Sequence, residues 1–262
     1  MDQEMNLKRL AISCAFFTFS VYAGLVLSIC YFFSGHLFME TILSERTLFS
    51  IRLSLIAATL ATTLSVFLAI PSAYALSRFD FRGKDIIDTI LEFPMIVSPA
   101  ALGALLLIFF NTPLGESVQK NTFQFVFAFA GIVLAQFVTT LGIATRLLKA
   151  ALDEIPRRYE DVARTLGASP LSAFFSVTLP LAKRGILASV ILAWAKALGE
   201  FGATIMVAGS MAMKTETLPV AIFMRLASAD ISGTVVLILI LISVGFFVLY
   251  AARFLTKGSR RA

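Results

Sequence analysis

The hydrophobic pattern divides the chain into long apolar runs with charges gathered between them. No Asp, Glu, Lys or Arg occurs in residues 10–35, 53–77, 93–115, 121–145 or 231–252. A helix of roughly 20 mostly apolar residues crosses the hydrocarbon core, so each run is long enough to span a bilayer. A sixth run, 185–209, carries Lys196 and Glu200 but is otherwise apolar. Burying it as a soluble helix would take a large polar shell, which this chain lacks. The pattern predicts an all-α integral membrane protein with six transmembrane helices. Their expected positions are about 10–33, 53–77, 93–110, 123–145, 185–209 and 231–252.

Composition agrees. Hydrophobic residues make up 58% and charged residues 15%, where a soluble domain carries about 25% charged. No internal repeat and no linker stands out, and no soluble enzyme module is expected at either end. Residues 1–262 read as a single transmembrane domain. The basic residues sort by side. Lys8, Arg9, Arg78, Arg82, Lys84, Arg146, Lys149, Arg157, Arg158, Arg164, Lys183, Arg184, Arg253, Lys257, Arg260 and Arg261, 16 in all, fall on one side. Arg46, Arg52, Lys120, Lys214 and Arg225, five in all, fall on the other. Positive residues favour the cytoplasm, so both termini and the 146–184 loop are expected there. The net charge of +6 follows from this topology and from contact with anionic lipid headgroups. It requires no nucleic acid.

The first run is longer than a signal-peptide core and ends at no small-x-small site, so it reads as a retained helix. Cys14 and Cys30 both lie on it. The helix between them is about 24 Å long, too far for an intrachain disulfide. The single histidine, His36, falls at the outer end of the run as an interface residue. No metal-ligand spacing is present. Gly-x4-Gly-Lys-Ser/Thr, His-Glu-x-x-His and Gly-x-Ser-x-Gly are absent, so no catalytic residue is assigned.

The most basic loop runs Asp153-Glu-Ile-Pro-Arg-Arg-Tyr-Glu-Asp-Val-Ala-Arg-Thr-Leu-Gly-Ala-Ser-Pro170 and continues to Pro180. Pro156 suits the first turn of a helix, where its missing N–H is not needed. Asp153 and Glu154 favour the positive end of that helix dipole. Ile155, Tyr159, Val162 and Leu166 fall on one stripe. Gly167 fits a left-handed C-terminal stop. Ser169 and Pro170 restart a helix as N-cap and first-turn proline. Pro180 is expected to end or bend this second helix before span five. Two uses suit such a helix–Gly–helix hairpin. Its arginines fit the bilayer surface, and Tyr159 with its mixed charges fits a protein groove.

In span five, Lys196 and Glu200 sit at i and i+4 on one face. Burying either alone costs at least ~2.5 kcal/mol on insertion scales, so pairing or a water-filled cavity is expected. A salt bridge between helices and a direct place in a substrate path both fit. Gly199 and Gly202 flank Glu200 and permit close helix approach.

Asp161-Val162-Ala163-x3-Gly167-x9-Val177-x-Leu179-Pro180 resembles the coupling loop of ABC importer permeases, which reads Glu-Ala-Ala-x3-Gly-x9-Ile-x-Leu-Pro. Ala163, Gly167, Leu179 and Pro180 match. Asp161, Val162 and Val177 replace Glu, Ala and Ile. Trp194-Ala-Lys-Ala-Leu-Gly-Glu-Phe-Gly-Ala-Thr204 is similar to the fifth-span wording of permeases for molybdate, tungstate and sulfate. Thr215-Glu-Thr-Leu-Pro219, and Arg78-Phe-Asp-Phe-Arg-Gly-Lys84 followed by Phe93-Pro94, resemble the molybdate branch. Two segments depart from it: residues 113–122 lack the Gly-rich, basic wording of that group, and Pro94 to Pro99 follows its proline-rich start only loosely.

The resemblance implies a type I ABC importer permease fold in the plasma (inner) membrane of a prokaryote. It implies import of an oxyanion, molybdate or tungstate first and sulfate or thiosulfate as the alternative. The implied partners are two ABC ATPase subunits, a second permease copy and a periplasmic or surface-tethered binding protein. ATP and Mg would be used by the ATPases, with no cofactor on this chain. Tyr159, Glu160, Asp161, Ala163, Arg164, Gly167, Pro170 and Pro180 are the implied ATPase-coupling residues. Ser98, Thr139, Thr140 and Thr204 are candidates to line the path, since a dianion must be held by donors weakly enough to leave. Each is equally a helix-packing hydroxyl bonded to its own backbone. Phe137 and Met206 fit lipid-facing or core positions first, and an apolar gate as the alternative. A gradient-driven secondary transporter would favour embedded acids on broken helices and inverted repeats. Glu200 is the only acid inside an expected span.

Overall fold

A computed structural model describes residues 2–32 and 35–257. Among these, every regular element is helical. The order is α1 (Asp2–Ser28), a 3₁₀ turn (Ile29–Phe32), α2 (Gly35–Leu43), α3 (Glu45–Arg78), α4 (Lys84–Leu91), α5 (Phe93–Ile96), α6 (Pro99–Phe110) and α7 (Pro113–Asn121). There follow α8 (Phe129–Asp153), α9 (Arg158–Thr165), α10 (Pro170–Ala173), a π turn (Phe174–Thr178), α11 (Leu179–Leu198), α12 (Gly202–Ala208), α13 (Leu218–Ala227) and α14 (Ile231–Lys257). Among the described residues five helices are long and apolar enough to cross a membrane, or six if the bent pair at 84–110 counts as one span. Arg260 and Arg261 of the basic C-terminal tail lie outside the described residues, as does the Cys30 side chain; Cys14 is free and exposed.

The core is built on α3, α8 and α11. Their facing residues are small, so the backbones approach closely. Ala69 and Ala73 of α3, Ala144 and Leu148 of α8, and Ala182 and Ala193 of α11 form one buried cluster. Leu53 and Ala57 meet Ile132 and Ala208 in a second. By contrast, no residue of Asn6–Ser28 is buried, so α1 stands off this bundle.

The expected span at 93–110 differs from a straight crossing. Residues 84–96 form one arm and Pro99–Phe110 the other, and the chain turns by 109° between them. Pro99 disfavours helical geometry in the residue before it. Ser98 is accordingly extended, with φ −60° and ψ 145°, and its hydroxyl accepts from the Ala101 N–H at 3.3 Å to cap α6. The first arm is fastened to α8. Lys149 Nζ lies 2.5 Å from Asp88 Oδ2 and Arg146 pairs with Glu92. Gly142 of α8 leaves no room for a side chain against the Leu91 carbonyl.

The expected span at 185–209 also divides. Its helix begins earlier and ends at Leu198, and α12 resumes at Gly202. The break packs on the start of α6. A Cβ on Gly202 would lie 2.9 Å from the Ala100 nitrogen, and one on Gly103 would lie 2.7 Å from Met206 Cβ. Gly199 has no such tight neighbour. Only one of the two flanking glycines therefore serves close approach. Pro180 does not end the second hairpin helix. The chain stays helical from Pro170 to Leu198. The regular α pattern is interrupted just upstream of Pro180 by the π turn at Phe174–Thr178.

Candidate functional site

The 153–180 hairpin caps the Arg78 end of the bundle. Its first helix, α9, closes with two backbone bonds, Gly167 N–H to Arg164 O and Ala168 N–H to Ala163 O, both 3.0 Å. That pair is the Schellman arrangement, which needs a left-handed residue at the stop. Gly167 supplies it with φ +93°. Ser169 then caps α10 by accepting from the Ser172 N–H at 3.2 Å. An open cleft between the two helices is lined by Asp161, Arg164, Thr165, Ala168 and Pro170.

The orientation of α9 is inverted relative to an ordinary surface helix. Tyr159, Val162 and Leu166 are 44%, 58% and 84% exposed, and Leu171 and Phe175 of the next segment are exposed too. Glu160, a charged residue, turns inward and is buried. Of the expected stripe, only Ile155 packs inward, against the α3–α8–α11 cluster. Burying a carboxylate is tolerable only where it is paired and hydrogen-bonded. Glu160 Oε1 accepts from Arg78 Nε at 2.7 Å, and Oε2 accepts from the Tyr74 hydroxyl at 3.0 Å. Burial alone would raise its pKa. The nearby Thr178 hydroxyl and hydrogen bonds from Arg78 and Tyr74 outweigh that and hold the carboxyl below its usual range.

Arg78 is equally committed. Its Nη2 donates to the carbonyls of Leu152 at 3.0 Å and Ile155 at 2.9 Å, which satisfies the open end of α8. Beside it, Ser77 donates to Asp153 Oδ1 at 2.5 Å, and Arg157 Nη2 donates to the Ser77 carbonyl at 2.6 Å. Tyr74 packs edge-on against Phe174 of the π turn, with centroids 4.7 Å apart. So α3, α8, α9 and the π turn before α11 meet at one buried polar knot. Glu160 belongs to that knot, not to the outward face where Tyr159, Asp161 and Arg164 stand.

Lys196 and Glu200 pair at 2.6 Å, within the fifth span and across its break rather than between packed helices. The other Glu200 oxygen accepts from the Ala203 N–H at 3.1 Å. The carboxylate thus caps α12, and Lys196 neutralises it. Of the path candidates, Ser98 is exposed at the α6 terminus. Thr139, Thr140 and Thr204 are each 1% exposed or less, inside the bundle. The Thr139 hydroxyl bonds to the carbonyls of Ala135 and Gln136. These three threonines face the protomer's own core, because α8 and α12 pack there through Ala135, Ala203 and Val207. Phe137 is half-buried and Met206 exposed.

Two further ionic features escaped the sequence reading. One is the Arg78–Glu160 knot. The other, at the opposite end of α3, joins Arg46 to Glu216 through two bonds of 2.6 and 2.7 Å. Both acids stand in phrases that carried the resemblance or adjoin it, but no periodicity announces pairings across 82 and 170 residues.

Known proteins place this geometry. Residues 61–261 match the family described as binding-protein-dependent transport system inner membrane component. A probable molybdenum ABC transporter permease protein of Haloferax volcanii is 39% identical over 76% of this chain and 72% of its own. The molybdenum transport system permease protein ModB of Escherichia coli K12 is 34% identical over 84% of this chain and 97% of its own. The fold is shared with a bacterial alginate ABC transporter crystallised with an alginate pentasaccharide-bound periplasmic protein. That structure has a TM-score of 0.76 and 15% identity, and it covers 98% of this chain and 94% of the other. The chain belongs to the family of binding-protein-dependent transport system inner membrane components, with the fold of a type I ABC importer permease.

Proposed function

We propose that this chain is the membrane-spanning subunit of an ATP-driven importer for a tetrahedral oxyanion, molybdate or tungstate. The observation that carries the coupling half of this reading is the inverted α9. Its apolar residues Tyr159, Val162 and Leu166 face outward while its buried acid is bolted to Arg78. A helix held this firmly with its apolar side uncovered is built to enter a groove on another protein. The partner in this reading is an ABC ATPase, one beneath each of two permease copies. ATP and Mg belong to that partner. Val162, Leu166 and Asp161 then make the contact, and Gly167 and Pro170 shape it.

The substrate half rests on the relatives named for molybdenum transport and on the fifth-span phrase from Trp194 to Thr204. A homodimer places the path between two copies. The exposed Ser98 at the α6 terminus is the residue here suited to face it. A binding protein delivers the anion on the side of Arg46 and Lys214. The Lys/Arg asymmetry puts both termini and the hairpin in the cytoplasm of a prokaryotic inner membrane.

The test is ATP hydrolysis by the complex purified from its host in mild detergent and reconstituted with the host's binding-protein fraction. Molybdate, tungstate or sulfate is added in separate arms. Stimulation by molybdate or tungstate is expected. Stimulation by sulfate alone reassigns the substrate, and the lack of any associated ATPase defeats the reading.

A further inference from the structure

The helix α3 connects the Arg78–Glu160 anchor of the hairpin to the Arg46–Glu216 pair, which the coupling reading leaves unused. It is one unbroken helix of 34 residues with no glycine, continuous through Pro71. Arg46 is its second residue and Arg78 its last, about 48 Å apart along the axis. At the Arg78 end it grips the hairpin. Arg78 holds Glu160 and the last carbonyls of α8, Tyr74 holds the second Glu160 oxygen, and Arg157 returns a bond to Ser77.

At the Arg46 end it grips the segment 209–217. Arg46 Nε and Nη2 donate to the two oxygens of Glu216 at 2.7 and 2.6 Å, a bidentate fit with fixed geometry. Glu216 is 1% exposed. Two turns along, Ser54 Oγ accepts from the Leu218 N–H at 2.7 Å. The segment itself is a compact turn. Gly209 and Met213 have positive φ, and the Met211 N–H donates to Thr215 Oγ1 at 3.2 Å. Lys214 and Met213 present its exposed side.

Separating either carboxylate from its guanidinium would leave a buried, uncompensated charge, so neither joint opens readily. The competing route is weaker. α11 also leaves the hairpin, but it breaks at residues 199–201 before the chain reaches 209. Along that route the two pieces are joined through the Lys196–Glu200 pair and the Glu200 cap on α12, not by continuous helix. α3 has no such break.

We propose that α3 is a strut, with Arg78 and Arg46 as its positioning residues, which carries the nucleotide-driven movement of the hairpin to the 209–217 segment on the far face. This rests on the ATP-coupled reading above. It adds that the far segment answers to nucleotide through the Arg46–Glu216 joint and the Ser54–Leu218 bond.

The experiment uses the whole complex with its ATPase in nanodiscs. A nitroxide is placed at Lys214→Cys in a Cys14→Ser, Cys30→Ser background, and its spectrum is read with and without ATP. The unmodified joint is expected to give an ATP-dependent change. Arg46→Met/Glu216→Gln removes the link without leaving a buried charge. In that double variant the change disappears, ATP hydrolysis continues, and uptake per ATP falls about fivefold or more. Arg46→Lys, which keeps the charge but not the two-pronged fit, retains part of the response. Membrane abundance is followed alongside. Ser54→Ala, which cuts the second bond at the same joint, is an independent probe expected to weaken the response. A change at Lys214 that persists in both the double variant and Ser54→Ala overturns the strut alone. A complex with the joint intact that hydrolyses ATP with no change at Lys214 also overturns the strut and leaves ATP coupling standing. The absence of ATP hydrolysis by that complex overturns both.

Discussion

Arg78 Nε and Glu160 Oε1 meet at 2.7 Å, joining the end of one membrane helix to a hairpin 82 residues later. Both side chains are nearly sealed from solvent, at 5% and 11% exposure. Removing one partner of a buried pair strands the other, at a cost of about 3 kcal/mol or more. Arg78→Ala also releases the α8 carbonyls. Arg78→Ala is therefore expected to lower the thermal midpoint of the purified protein sharply. Glu160→Gln keeps a hydrogen-bonding partner for Tyr74 and Arg78 and lowers it less. Thermal unfolding in detergent, ranked across the two variants, checks this order.

The pH response of the same knot follows from its sign. The Glu160 carboxyl is held below its ordinary value of 4.5 in the folded chain. Its contribution is therefore fully present above the unfolded pKa and is lost as pH falls through the lower folded one. The hairpin is expected to stay anchored from about pH 5 to 8 and to loosen only in stronger acid. A spin label at Thr165→Cys, followed by mobility against pH, reads this directly. In Glu160→Gln the acid transition disappears. A transition near neutrality in the unsubstituted knot would contradict the assignment.

Gly167 stands at φ +93° with nothing within 4 Å of a would-be side chain. The obstacle to substitution is thus backbone conformation, not space. A β-branched residue there costs roughly 1–2 kcal/mol and shifts the angle between α9 and α10. Gly167→Val is expected to reach the membrane in normal amounts and to lose ATP-driven uptake. Gly167→Asn, which tolerates the left-handed region better, keeps part of it. Full uptake by Gly167→Val would show that the hairpin is not the coupling element.

Glu200 performs two tasks, pairing with Lys196 and capping α12. Glu200→Ala removes a cap worth about 1 kcal/mol and leaves Lys196 without its counter-charge in the membrane. Lower abundance is expected, with oxyanion choice unchanged. Lys196→Met/Glu200→Gln, which leaves no lone charge, recovers much of the abundance. Competition uptake of molybdate against sulfate, normalised to abundance, separates the roles. Normal abundance with altered selectivity would move the pair into the substrate path.

The spans and the hairpin were legible because each depends on local chemistry. A charge-free run of membrane length is visible by counting. Gly167, Ser169 and Pro170 announce a stop and a restart through their own backbone preferences. The breaks at Ser98–Pro99 and at residues 199–201 were hidden, because an apolar run is silent about direction. Pro180 does not end its helix, since the chain passes through a π turn at Phe174–Thr178 and continues helical to Leu198. The inward turn of Glu160 could not be read from α9 at all. Its partners Tyr74 and Arg78 lie on another helix, and the periodicity of 158–165 places the acid on a polar face that looks solvated. The burial of Thr139, Thr140 and Thr204 depends on which neighbours α8 and α12 find, and hydroxyl content does not encode that.

The most direct measurement places a photoactivatable crosslinker at Val162, which is 58% exposed on α9, in the intact host membrane. The adduct is identified by mass spectrometry with and without ATP. One dominant adduct is expected, to an ATP-binding subunit, changing in yield with nucleotide. Adducts to lipid alone, with that subunit present in the membrane, would contradict this expectation.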